Sequence, residues 1–112
     1  MEEILKLIKD KLEEKKGYDV KILDIRELSV MTDYFVITSG NNINQVHALC
    51  DFLSDELSKV GIAHKAIEGY DTANWILMDY GDIVVHIFDK DSREFYDLER
   101  IWKGGKIVDI KL

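Results

Sequence analysis

Residues 33–68 read DYFVITSGNNINQVHALCDFLSDELSKVGIAHKAIE, and the period of their apolar residues changes twice along the way. Asp33–Ser39 is a dense apolar run, which predicts a strand buried on both faces. From Asn42 the spacing becomes helical: Val46, Leu49, Cys50, Leu53, Leu57 and Val60 recur at i, i+3, i+4, i+7, i+11 and i+14. Asn42 with Gln45 three positions on predicts a capping box that opens this helix, and Gly61 supplies its end. Ile62–Glu68 then predicts a strand returning to the sheet, so that Phe35–Ile67 resembles a β-α-β crossover.

Working outward, Ile4, Leu5, Ile8 and Leu12 share one face of a helix expected over residues 2–16, with Glu2 and Glu3 at its positive end and Lys15 and Lys16 at its negative end. Tyr18–Arg26 alternates in character and predicts a strand. On the other side, Ala73–Asp79 and Ile83–Phe88 are apolar runs joined by Tyr80-Gly81-Asp82, a link short enough to predict an antiparallel hairpin. Asp91, with Glu94 three residues later, is expected to cap a third helix whose buried face carries Phe95, Leu98 and Trp102, ended by Gly104-Gly105. The expectation is a single α/β domain over residues 1–112, with a mixed sheet of about five strands, about three helices and the order αββαβββα. The tail 106–112, KIVDIKL, is left as a short edge strand or a loosely held end.

Composition narrows the function. At 112 residues and 46% hydrophobic, a core can form without staples or metals, and no composition shift marks a domain boundary. The formal net charge of −7 lacks the basic excess that phosphate neutralisation requires of a free-standing nucleic-acid binder, so direct sequence-specific nucleic-acid binding is not expected. A basic protein partner suits it better, because opposite potentials steer encounter. One cysteine, Cys50, excludes an internal disulfide framework and a Cys-rich zinc site. The N-terminal MEEILKLIKDKLEEKKG lacks the apolar stretch of a signal peptide, and no segment reaches the length of a membrane span, so a cytoplasmic location and no membrane partner are expected.

An enzyme of the nucleotidyltransferase kind, or a nucleotide-binding regulator, is the alternative function. Such a site wants a Gly-Ser turn opening a helix to hold phosphates and a carboxylate pair on a nearby strand to hold magnesium. Ser39-Gly40 meets the first requirement, but the strand after the helix, carrying HKAIE, has no such pair. Asp79 and Asp82 flank a turn, and Asp89 and Asp91 sit at a helix start, where turn and capping roles account for them. SGNN lacks the lysine and the glycine spacing of a phosphate-binding fingerprint. His47, His64 and His86 show no metal-ligand spacing, and His86 is expected to be a half-buried, satisfied histidine. Cys50 falls in the apolar stripe and reads as core. No catalytic residue, metal or cofactor is expected.

The last third of the chain differs in kind. Trp75, Tyr80, Tyr96 and Trp102 are interleaved with Asp79, Asp82, Asp97 and Glu99. Aromatics with acidic neighbours suit an interface with a basic protein. Trp75 alternates with Leu77 while Ile76 and Met78 line the other face, so one face is core and the other is free to dock. Helical spacing turns Trp102 inward, and for Trp75 and Tyr96 spacing alone leaves core and docking both open.

These residues also carry a resemblance. DYFVITSG (33–40), Gln45-Val46, EG at 68–69, WILMDYGDIVVHIF (75–88) and REFYDLERIW (93–102) together look like the RsfS/Iojap family of ribosomal silencing factors, over about residues 3–103. The resemblance implies a nucleotidyltransferase-like fold without catalysis. It also implies a factor that binds the large ribosomal subunit through ribosomal protein L-fourteen, blocks joining of the small subunit and so represses translation. Roles in large-subunit assembly are attributed to the family too, and dimers within it imply a homodimer off the ribosome. Carried over by position, the partner-facing residues are Trp75, Ile76, Asp79, Asp82, Tyr96 and Glu99. Asn44 departs from the common pattern, in which many members carry arginine, and this weakens any phosphate contact from the 41–45 loop.

Overall fold

The computed structural model describes residues 1–102 and 104–108. The elements in chain order are α1 (Glu2–Glu14), β1 (Tyr18–Asp24), β2 (Tyr34–Gly40), α2 (Ile43–Lys59), β3 (Ala66–Glu68), β4 (Trp75–Asp79), β5 (Ile83–Asp89), α3 (Lys90–Tyr96), α4 (Leu98–Ile101) and β6 (Lys106–Ile107). Six strands form one mixed sheet in the order β3-β4-β5-β2-β1-β6. The sixth strand is a two-residue edge, Leu23 pairing with Ile107 and Asp24 with Lys106. It takes up part of the unassigned tail, and residues 109–112 lie outside the described chain.

The expected β4–β5 hairpin forms, with Trp75 opposite Phe88 and Asp79 opposite Val84. Its tight turn is closed by the Gly81 amide, which donates to Asp79 Oδ1 at 2.8 Å. β2 and β5 pair in parallel at the centre, and β2 is buried along nearly its whole length, as its dense apolar run predicts.

The crossover differs from the expectation. The returning strand covers only Ala66–Glu68 and pairs antiparallel with β4 at the far edge. Since β4 is antiparallel to β5 and β5 parallel to β2, β3 does run parallel to β2, but two strands stand between them. Residues 62–65 form no strand; they lead from the end of α2 to the edge, and the Lys65 amide donates to the Asp79 carbonyl at 2.7 Å.

Two layers pack on the sheet. α1 places Leu5, Ile8 and Leu12, and α2 places Val46, Leu49, Cys50, Leu53 and Leu57, against Ile22, Val36, Ile76, Met78, Val85 and Ile87. Val60, the last member of the predicted stripe, is 59% exposed, because the helix has already closed there and Val60 is its C-cap. The other face carries a smaller cluster of Leu23, Ile25, Phe35, Ile37, Phe88 and Leu98, with Trp75, Val84 and Trp102 packed against it. Burying each large side chain contributes about 1.5–3 kcal/mol before chain entropy is counted, so the two-helix face dominates stability and leaves the thinner face open to another role.

Helix ends are set by side chains. Asn42 Oδ1 accepts from the Gln45 amide at 2.8 Å as predicted. The return bond of the capping box is displaced by one residue: Gln45 Oε1 accepts from the Asn41 amide at 2.7 Å, and its Nε2 donates to the Lys16 carbonyl at 3.0 Å. Gln45 therefore ties the start of α2 to the end of α1. For α3 the cap is Asp89, not Asp91. Its Oδ1 accepts from the Ser92 amide at 2.8 Å, because β5 runs straight into the helix and the last strand residue is already extended.

Candidate functional site

The open part of the sheet is built by alternation along β4 and β5. Ile76, Met78, Val85 and Ile87 turn toward α1 and α2, and Trp75, His86 and Phe88 turn the other way. Trp75 is half-buried and lies stacked on Phe88, ring centroids 5.0 Å apart with planes at 29°. Its indole Nε1 donates to His86 Nδ1 at 3.0 Å. His86 stands edge-on to Phe35 at 4.5 Å, and Phe35 in turn edge-on to Trp102 at 5.1 Å. Trp102 thus points inward, as helical spacing predicts.

His86 is buried, 3% exposed, rather than half-buried, and only one ring nitrogen is satisfied. An indole N–H only donates, so Nδ1 accepts and the ring is neutral with its proton on Nε2, which has no partner. Burial away from water pushes its pKa down to about 4.

Helix α3 adds Tyr96, 41% exposed, whose ring lies 4.8 Å from Trp75. Phe95, expected in the core, is 81% exposed and meets Tyr96 edge-on at 5.1 Å. The cause is local. Asp97 adopts left-handed backbone, φ 47°, and breaks the third helix into α3 and α4. The predicted phase linking Phe95 to Leu98 is lost at that residue, and Leu98 alone enters the core. Trp75, Tyr96 and Phe95 thereby form a run of rings leading from the sheet face out to solvent.

The remaining expected contacts disperse. Ile76 has no exposed surface and sits in the core beneath the long helices, so it cannot meet a partner. Asp79 and Asp82 lie at the hairpin turn, about 13 Å along the strand from Trp75. There Asp79 serves the turn and Asp82 is exposed. Glu99, on α4, lies 3.5 Å from the guanidinium of Arg93. That guanidinium is itself largely buried and donates to the Tyr18 and Asp19 carbonyls at 2.8 and 2.7 Å, fastening α3 to the start of β1. The aromatic pair is therefore one site, while Asp79 and Asp82 stay at the hairpin turn and Glu99 is held by Arg93.

The groove at the start of α2, about 470 Å³ and lined by Asn41–Asn44 and Asp89–Asp91, is the place a phosphate would take in the enzyme alternative. Asp89 and Asp91 stand in it against the single cation Lys90, so its side chains carry a net negative charge that does not favour an anion. Cys50 is sealed in the core, its thiol pushed up to about 12 by burial, which fits a packing role. Among the described residues no three His, Cys, Asp or Glu side chains converge as a metal site, and no helix is long and apolar enough to cross a membrane.

Comparison with known proteins gives this face a context. The family model described as "Ribosomal silencing factor during starvation" matches residues 1–112. The chain belongs to that family. The ribosomal silencing factor RsfS of Bacillus subtilis is 39% identical over 107 residues, covering 96% of this chain and 91% of that protein. A mouse protein named for mitochondrial assembly of the ribosomal large subunit is 31% identical over 94 residues, covering 81% of this chain but 41% of its own length. A crystal structure of a Bacillus halodurans protein superimposes with a TM-score of 0.87 at 37% identity, covering 98% of this chain and 100% of that one. The family is one of translation regulators associated with ribosomes. The relatives' names speak of ribosomal silencing and of assembly of the ribosomal large subunit.

Proposed function

We propose that the chain binds the large ribosomal subunit through ribosomal protein L-fourteen and, by occupying that surface, keeps the small subunit from joining and so represses translation in the cytoplasm. The observation that carries the reading is the run Trp75–Tyr96–Phe95, half-buried at Trp75 and exposed at Tyr96 and Phe95, on the sheet face that no long helix covers. Family membership supplies the ribosome as the setting, and the net charge of −7 favours a basic protein over ribosomal RNA as the contact. The mechanism is mass action: the factor stays bound, and no bond is made or broken. An interface of about 800 Å² per partner takes up roughly one-eighth of the 6739 Å² surface.

The test is co-sedimentation with separated large subunits and with joined ribosomes. The wild-type chain is expected on the former and not on the latter. Trp75→Ala or Tyr96→Ala removes a central aromatic anchor and is expected to weaken binding by about 2 kcal/mol or more, roughly thirtyfold. Unchanged sedimentation of both variants, each shown to be folded, rejects the face. The resemblance to dimeric family members extends the proposal to a homodimer off the ribosome that uses the same face. Light scattering is then expected to show the dimer dissociating as purified ribosomal protein L-fourteen is added, whereas a dimer that the partner neither binds nor disrupts favours a scaffold.

A further inference from the structure

The choice of histidine at position 86 is not explained by packing. Phe35, Trp75 and Phe88 surround the ring, which is 3% exposed. An apolar side chain would fill the site without leaving a buried donor unpartnered, as Nε2 is left here. What histidine provides and an apolar residue does not is an acceptor for the Trp75 indole, 3.0 Å away.

Trp75 needs that acceptor. Stacking on Phe88 sets the distance of the indole from the sheet but does little to fix its rotation in the plane, since contacts between ring faces tolerate sliding. One directional bond at Nε1 removes that freedom and decides which part of the ring stays exposed beside Tyr96.

We infer that His86 is a positioning residue of the docking face, holding the Trp75 indole through Nδ1 in the orientation that meets the partner. The inference rests on the docking reading given above, and it adds a buried residue that makes no contact with the partner yet governs affinity. It also assigns the ring's tautomer, with the proton on Nε2.

The experiment uses the full chain, purified large ribosomal subunits and three variants: Trp75→Ala, His86→Phe and His86→Asn. Asparagine can place its carbonyl oxygen close to where Nδ1 stands and accept the same bond. Long-range nitrogen–proton spectra at neutral pH are expected to show wild-type His86 protonated on Nε2 alone. In His86→Phe the Trp75 indole N–H resonance should move to the position of an unbonded indole and its exchange with solvent should quicken. Binding should fall about three- to tenfold, the equivalent of one net hydrogen bond. His86→Asn should recover both the resonance and most of the affinity.

A proton on Nδ1 in the wild type overturns the inference, and so does wild-type affinity in His86→Phe while Trp75→Ala binds weakly. If Trp75→Ala binds as the wild type does, the docking reading fails and takes the positioning role with it. Should His86→Phe not fold, the wild-type tautomer and the His86→Asn affinity decide. An asparagine variant that keeps the indole bond but not the affinity counts against the proposal.

Discussion

Burial keeps the His86 imidazole neutral at pH values where a free histidine carries charge, and this links folding to pH. The unfolded chain protonates the residue near pH 6.5, whereas the folded chain does so only near pH 4. Between those values the unfolded state binds more protons, so the contribution of His86 to stability is complete above about pH 6.5 and declines as pH falls toward 4. The side chains in ring contact with it, Phe35, Trp75 and Phe88, carry no charge that would alter this sign. Urea titrations are expected to show the wild type losing about 2 kcal/mol more than His86→Phe between pH 7 and pH 5; equal losses would contradict a buried neutral ring. Gly69 is the second residue on which Trp75 depends. Its φ is +79°, and a Cβ there would collide with the Trp75 carbonyl oxygen. Gly69→Ala is therefore expected to cost about 2 kcal/mol or more and to shift the Trp75 indole resonance, both visible in a melt and a proton–nitrogen spectrum.

Elements in this chain are held by contacts that cross long stretches of sequence, and Arg93 is the clearest. Its guanidinium ties α3 to the carbonyls of Tyr18 and Asp19 and meets Glu99 from α4. Replacement by alanine leaves those carbonyls to water or to nothing, and a loss of roughly 1.5–3 kcal/mol is expected. Lysine should restore little of it, since an ammonium cannot reproduce the planar fork. Thermal unfolding of the two variants checks this, and a lysine variant as stable as the wild type would refute it. Such a tie cannot be read from the sequence, because nothing local in REFYDLERIW points to residues 18 and 19. The same stretch shows where periodicity stops being informative. Phe95 and Leu98 lie at helical spacing, but Asp97 takes a left-handed conformation that aspartate tolerates, and the phase is reset between them. By contrast α2 was legible because one long apolar stripe and one cap agree. The two faces of β4 and β5 were legible because strand alternation admits no intermediate phase, which also places Ile76 opposite Trp75 and excludes it from the surface.

At the scale of the whole molecule, strand pairing was the least legible feature, since short segments such as Ala66–Glu68 carry little pattern of their own. Ala66–Glu68 follows α2 in sequence yet lies two strands away from β2, because the β4–β5 hairpin inserts itself between them. That insertion places β4 inside the sheet beside β5, and strand alternation then turns Trp75 to the side that the two long helices do not cover. The proposed docking face would work in the field of a chain with net charge −7. Attraction to a basic partner acts across a Debye length of about 10 Å at 0.1 M salt and acts on encounter, whereas the buried rings act on release. The two contributions should separate in binding kinetics with isolated ribosomal protein L-fourteen, where no ribosomal RNA opposes the acidic chain. Raising salt from about 0.05 M to about 0.3 M is expected to slow association several-fold and to leave dissociation nearly unchanged. Trp75→Ala is expected to do the reverse, speeding dissociation with little effect on association. If salt instead changes only the dissociation rate, or Trp75→Ala only the association rate, the division between a charged approach and an aromatic anchor does not hold for this surface.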